Sequence, residues 1–178
     1  TRLFSTEATG FRQYKLFTKD LATGKESAPL AERVTSFTWA ADNRHIFFVT
    51  EDDVTKRSNL VWRLDLQGGK PEVVFDEKDE LYRIGVGRTK DHKYLVVECQ
   101  STDTWEARYL PSDKPRAAFK VLLPREKGHK YDLEHREGLF YIRTNKGAKN
   151  FRLVTAPTAT PDPKHWTEVL PHRADVLL

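Results

Sequence analysis

Leu66-Gln67-Gly68-Gly69-Lys70-Pro71 is a short polar turn between two apolar runs, Leu60-Val61-Trp62-Arg63-Leu64 before it and Val73-Val74-Phe75 after it. Paired glycines between alternating runs are hairpin chemistry, because glycine reaches the positive φ values that tight turns demand. A phosphate loop would need a helix behind the lysine, and here proline follows it. Moving outward, His45-Ile46-Phe47-Phe48-Val49 and Ser36-Phe37-Thr38-Trp39 precede the turn, so one unit holds four short strand-like runs. The turn has two echoes. Leu21-Ala22-Thr23-Gly24-Lys25 stands 45 residues earlier (66 − 21) and Leu110-Pro111-Ser112-Asp113-Lys114-Pro115 stands 44 later (110 − 66). A near-constant interval of this size marks a repeat architecture.

The later copies follow the same grammar. One supplies Tyr82–Val86, Tyr94–Val97, Ala107–Leu110 and Phe119–Leu123; the next supplies Tyr131–Leu133, Leu139–Ile142, Phe151–Val154 and Trp166–Leu170. The second run of each copy is the most apolar, as a strand packed on both faces must be, and the fourth is short and mixed, as an outer edge should be. No window shows apolar residues three and four apart, the mark of a helix. Four strands per unit of ~40–50 residues is a β-propeller blade. The predicted fold is therefore all-β, a partial propeller of about three and a half four-stranded antiparallel blades. The expected boundaries are an outer half-blade at 11–30 with a strand at Gln13–Thr18, blades at 34–77, 81–124 and 129–171, and the start of a further segment at 172–178. Closed rings take about 4–8 blades, so an arc of a larger ring is expected. The chain contains no methionine and begins at Thr1, which reads as an excised piece. An open arc exposes blade faces that neighbours otherwise cover, so self-association through the end blades is expected too.

Composition narrows the function classes. The net charge of +4 comes from 30 basic and 26 acidic residues scattered along all 178 positions, whereas nucleic-acid binders concentrate positive charge on one stripe. No apolar stretch approaches the ~20 residues that cross a bilayer as a helix. The one cysteine, Cys99, alternates with Leu95 and Val97 and so reads as a core residue; a lone thiol makes no internal disulfide. A cytoplasmic location is the matching expectation.

Catalytic patterns are missing. No serine sits in a Gly-x-Ser-x-Gly elbow, the strained turn that exposes a hydrolase nucleophile. Gly85-Val86-Gly87-Arg88-Thr89-Lys90 starts like a dinucleotide loop, but Lys90 stands where the third glycine belongs. His129 with His135, and His165 with His172, lack the spacing of a zinc site and read as exposed loop histidines. No catalytic residue, metal ligand or cofactor is assigned, and no substrate-binding residue can be named from pattern alone.

Several runs carry a resemblance. Thr9-Gly10-Phe11-Arg12-Gln13-Tyr14, Lys19-Asp20-Leu21-Ala22-Thr23-Gly24, Asp42-Asn43-Arg44-His45 through Asp53, Val61-Trp62-Arg63 and Pro171-His172-Arg173 all contribute to it. Most specific is Thr144-Asn145-Lys146-Gly147-Ala148-Lys149-Asn150-Phe151. Together they resemble the propeller segment of the prolyl oligopeptidase family, in its oligopeptidase B (protease II) branch. Leu64-Asp65 departs from that pattern, where histidine is common. The resemblance implies a seven-bladed propeller that caps an α/β-hydrolase domain in a cytosolic serine peptidase cleaving short peptides after Arg or Lys. The triad, oxyanion hole and acidic pocket then belong to the hydrolase domain, and this segment is a lid, inactive alone. Its implied partners are that domain and peptides passing the propeller, with no nucleic acid and no membrane. A basic substrate favours acidic rim loops, for which Asp52, Asp53, Asp76, Glu77, Asp79 and Glu80 are the candidates. Two alternatives stand beside this: a freestanding propeller scaffold for protein partners, and the propeller of a proline-specific member of the same family.

Overall fold

The computed structural model describes residues 1–8 and 10–178. Thr9, which opens the first run of the resemblance, lies outside the described residues. Sheet I pairs β1 (Arg2–Thr6) with β2 (Lys15–Lys19). Sheet II is a meander of β3 (Val34–Trp39), β4 (His45–Glu51), β5 (Ser58–Asp65) and β6 (Glu72–Asp76). Sheet III follows with β7 (Arg83–Arg88), β8 (Tyr94–Gln100), β9 (Trp105–Pro111) and β10 (Lys120–Val121), and sheet IV with β11 (Tyr131–Arg136), β12 (Leu139–Thr144), β13 (Arg152–Pro157) and β14 (Thr167–Leu170). All pairings are antiparallel, and the described residues contain no α-helix, only a 3-10 turn at Pro163–His165. This is the all-β, propeller-type architecture that the repeat predicts.

Burial on two faces explains the apolar second strands. From β4, Ile46 and Phe48 point to sheet I, where they join Leu3 and Leu16 together with Val34 of their own sheet; Phe47 and Val49 point the other way, to Ile84, Val86, Leu95 and Val97 of sheet III. Strand β8 repeats the scheme. Leu95, Val97 and Cys99 face sheet II, while Val96 packs with Tyr131, Leu133, Phe140 and Ile142 of sheet IV. A strand sandwiched this way loses the polar–apolar alternation of a half-exposed one, which is why His45–Val49 reads as a continuous apolar run.

Between sheets, polar groups fix the stacking. Ser36 Oγ accepts the Val86 N–H at 2.9 Å, joining sheets II and III, and Glu134 Oε2 accepts the Lys90 N–H at 3.0 Å, joining III and IV. The Gly68-Gly69 turn is a hairpin connection, with Gly69 N–H bonded to Asp65 O at 2.9 Å. A Cβ on Gly69 would lie 2.7 Å from Asp65 Cβ, so the position excludes a side chain.

Three expectations need correction. Strand β1 was not read, because Arg2–Thr6 sends only Leu3 into the core, too little to make a periodic signal; the first sheet therefore begins before residue 11. Its partner lies at Lys15–Lys19 rather than Gln13–Thr18. The run Phe119–Leu123 yields only the two-residue β10, because Leu122 and Leu123 leave the sheet edge to become buried against sheet IV. Tyr131 fills the gap: its hydroxyl accepts the Ala107 N–H at 2.9 Å and donates to Leu123 O at 3.0 Å, replacing ladder bonds that a longer β10 would make.

Candidate functional site

In each meander the turns between the second and third strands share one end of the sheet with the linkers between sheets. All six candidate acidic residues lie at that end, and most are already engaged. Asp52 Oδ1 accepts the Thr55 N–H at 2.7 Å, the Thr55 hydroxyl at 3.0 Å and the Val54 N–H at 2.9 Å, and these bonds, led by that to the Thr55 backbone, hold its carboxyl below the usual range. Asp53 pairs with Arg33 and Lys56, and Asp76 with Lys78. Asp79 accepts the Leu81 N–H at 3.0 Å and lies 3.9 Å from Arg125. Glu77 is not a rim residue: its side chain is 5% exposed and bound to Arg125. Glu80 alone of the six is exposed with no partner among the described residues. The acidic rim expected from sequence is thus largely neutralised within the chain.

Glu77 belongs to a buried ionic node between sheets II and III. The Arg125 guanidinium bonds Glu77, approaches Glu106 Oε2 at 3.4 Å and stacks 3.7 Å over the Tyr82 ring. Glu106 Oε1 also accepts from Arg108 Nε at 2.8 Å, whose guanidinium covers Phe75 at 4.3 Å. Burial works against the Arg125 charge, but the Glu77 bond and the two carboxylates more than offset it and raise its pKa. The linker is fixed from its other side by Arg57, whose Nη1 donates to the carbonyls of Glu77, Asp79 and Tyr82 at 3.0, 3.2 and 3.1 Å. Cys99 lies nearby. Burial, then Glu106 and Glu77, push its thiol up to about 12, so it stays protonated and is no nucleophile at neutral pH.

The run Thr144–Phe151 is a clasp. Asn145 Oδ1 accepts the Lys130 N–H at 2.8 Å and its Nδ2 donates to Gly128 O at 2.8 Å, holding the linker before sheet IV. Asn150 Nδ2 donates to Arg173 O at 3.1 Å and Ala174 O at 2.9 Å, holding the segment after it. Between the two asparagines Ala148 is buried, and Phe151 adopts φ 65° beneath the Arg143 guanidinium, 4.7 Å from its ring centre. Asn145, Asn150, Ala148 and Phe151 therefore have hydrogen-bonding or steric tasks in the motif.

Two histidines read as exposed are buried instead. His129 Nε2 lies 2.8 Å from Thr144 Oγ1, and His135 Nδ1 lies 2.6 Å from Asp91 Oδ2. Burial first, and Lys146 second, lower the pKa of His129, although Glu126, itself paired with Lys146, opposes this. A base whose folded pKa is depressed stabilises the fold fully above its unfolded value. That contribution falls away as the pH drops from about 6.5, where the unfolded chain takes up its proton, through the lower folded value. His129→Asn is accordingly expected to lose stability at pH 7 but to show a shallower drop between pH 7 and 5.5 than the parent, measured by urea denaturation at both; equal drops would exclude His129 as the titrating group.

At the opposite end of sheets III and IV lies a groove of about 860 Å³ lined by Tyr94, Pro111, Asp91, His135 and Arg136 among others. The Asp91–His135 pair orients an imidazole as a catalytic dyad does, but among the described lining residues there is no serine or cysteine, and the hydroxyls are those of Tyr94 and Thr158. The ring is instead packed edge-on against Tyr94 and Phe140, at 4.8 and 5.7 Å. Among the described residues no group of three or more His, Cys, Asp or Glu is arranged to hold a metal ion.

The sequence pattern of the prolyl oligopeptidase N-terminal β-propeller domain matches residues 2–178. Dipeptidyl aminopeptidase BI of Pseudoxanthomonas mexicana is 34% identical over 98% of this chain and 25% of its own length. Protease 2 of Moraxella lacunata is 30% identical over 83% of this chain and 22% of its own length. Oligopeptidase B from Leishmania major superposes with a TM-score of 0.86 at 28% identity, covering 98% of this chain and 25% of that one. The chain spans about a quarter of the length of the curated relatives it matches.

Proposed function

Since the chain belongs to the prolyl oligopeptidase family, as its N-terminal β-propeller domain, we propose that it is the lid of a serine oligopeptidase whose hydrolysis is carried out by a separate α/β-hydrolase domain. The observation that carries the reading is the match over residues 2–178 together with the 0.86 superposition on oligopeptidase B. Its substrates are short peptides cut after Arg or Lys, as the likeness to oligopeptidase B and protease 2 suggests. The lid acts by exclusion: a narrow central tunnel lined by the inner strands admits a flexible peptide, rejects a folded protein and keeps water from the reacting centre. Because five of the six candidate rim carboxylates already have partners, selection of the basic side chain falls to the hydrolase domain. A cytoplasmic location goes with this reading, in keeping with the lone buried Cys99.

A second reading, removal of dipeptides from free N-termini, is favoured by the 34% identity to dipeptidyl aminopeptidase BI. One assay separates them. The protein carrying both domains is given an Arg-containing peptide with and without N-acetylation, and products are identified by mass spectrometry. Cleavage of the blocked peptide after Arg supports the endopeptidase; release of dipeptides from the unblocked one alone supports the dipeptidyl aminopeptidase; cleavage after proline alone moves the chain to the proline-specific branch. The 178 residues by themselves are expected to give no turnover, and hydrolysis abolished by replacing one of their own serines would overturn the lid reading.

Self-association is part of the same proposal. Among the described residues the buried clusters pack sheet I against sheet II and sheet IV against sheet III, which leaves each end sheet one face for a neighbour to cover, and apolar surface on such faces associates. Light scattering is expected to show mass rising with concentration; a constant monomer mass at high concentration would count against it.

A further inference from the structure

At the rim of sheet IV a cavity of about 310 Å³ is lined by Lys146, Gly147, Arg152, Val154, Trp166 and Glu168 with Pro163. Its chemistry is cationic and aromatic. Trp166 is fixed by its indole N–H, which donates to Pro161 O at 3.0 Å, and the Arg152 guanidinium stands 5.9 Å from the centre of its ring. Lys146 and Gly147 come from the clasp, whose asparagines hold that turn rigid, so one wall of the cavity is preorganised.

Arg152 is underused. A guanidinium is built to grip a carboxylate through two parallel N–H bonds. Here one nitrogen makes a long 3.3 Å bond to Glu168, and the buried Nε has no hydrogen-bond partner among the described residues. Glu168 itself sits on β14, whose four residues are all exposed, so it is free to swing into solvent. Lys149, three residues before Arg152, is exposed and without an ionic partner among the described residues, adding positive potential to the approach.

We propose that this cavity is a docking site for a carboxylate borne by an incoming peptide, which displaces Glu168 and takes the paired grip on Arg152. Trp166 supplies a flat apolar floor and orients the guanidinium; Lys146, which lines the cavity, is already paired with Glu126, so the grip rests on Arg152. Neither the lid nor the peptidase reading is needed for this, since the cavity is built from sheet IV alone and the readout is binding rather than turnover. The carboxylate has two possible sources, an acidic side chain or a peptide C-terminus, which share this chemistry.

Isothermal titration calorimetry on the full chain tests it with three probes: N-acetylated, C-amidated hexaglutamate; a neutral Gly/Ser peptide with a free C-terminus; and inorganic phosphate. Binding of the first identifies a side-chain carboxylate and binding of the second a terminal one; either supports the site, and binding of phosphate alone overturns it. Arg152→Gln is expected to weaken the bound peptide by about tenfold or more, the worth of a charge-assisted pair. Glu168→Gln, which removes the internal competitor, is expected to tighten it severalfold. Opposite signs from two adjacent residues are not produced by a general loss of structure. Should Arg152→Gln fail to fold, the exposed Glu168→Gln decides the matter alone: unchanged or weaker binding overturns the proposal, as does equal binding of a capped, uncharged control peptide.

Discussion

Arg125→Met is expected to cost about 3–5 kcal/mol of folding stability, because it leaves Glu77 and Glu106 buried with one cation fewer between them. Both carboxylate side chains are 5% exposed, so water cannot take over the role of the guanidinium. The Arg125 side chain is itself 25% exposed, which points to the lower end of that range. Replacing Arg125 together with both carboxylates, in Arg125→Met with Glu77→Gln and Glu106→Gln, is expected to restore part of the loss, since the penalty lies in the unpaired charge and not in the absence of the pair, with Arg108 left without its carboxylate. Urea denaturation of the two variants checks both statements. A loss below about 1 kcal/mol for the single variant would show that the node is effectively solvated.

Phe140→Ala is expected to cost a similar amount, about 3–5 kcal/mol, by a different route. Phe140 is fully buried, and its ring lies 5.1 Å from Tyr94, 4.9 Å from Tyr109 and 5.7 Å from His135. These rings come from both sheets III and IV, so the cavity left by the substitution opens between the sheets rather than within one. Hydrogen exchange is therefore expected to quicken in β11–β13 more than in β3–β5, which bury a separate cluster against sheets I and III. Uniform acceleration would mean that the sheets unfold as one unit.

The contrast between these two positions shows what was legible in the chain. Phe140 lies in Leu139-Phe140-Tyr141-Ile142, a run that reads as a second strand packed on both faces; it is a second strand, but only the Phe140 and Ile142 face is fully buried, against sheet III. Glu77 lies in Asp76-Glu77-Lys78-Asp79-Glu80, where nothing local separates it from its solvated neighbours. Only Arg125, 48 residues further on, makes it a core residue. His129 and His135 read as exposed for the same reason, since their partners Thr144 and Asp91 lie 15 and 44 residues away. The clasp was visible as the most specific run in the sequence, yet its work, tying down the segments on either side of sheet IV, became evident only from where Asn145 and Asn150 point. Strand β10 failed in the other direction: Phe119–Leu123 has the composition of a strand, but burying Leu122 and Leu123 won over continuing the ladder, and the Tyr131 hydroxyl made that choice affordable.

By itself, then, the order of residues determined the hairpins, the period near 45 and the apolar character of the second strands, because turn geometry and side-chain alternation are short-range properties that neighbouring residues settle among themselves. Which charges meet, which histidines are dry and where a cation is left half-satisfied were decided only when the sheets stacked. Those outcomes depend on distances between residues far apart in the chain and on the water removed from between them, and neither quantity exists until the tertiary structure does.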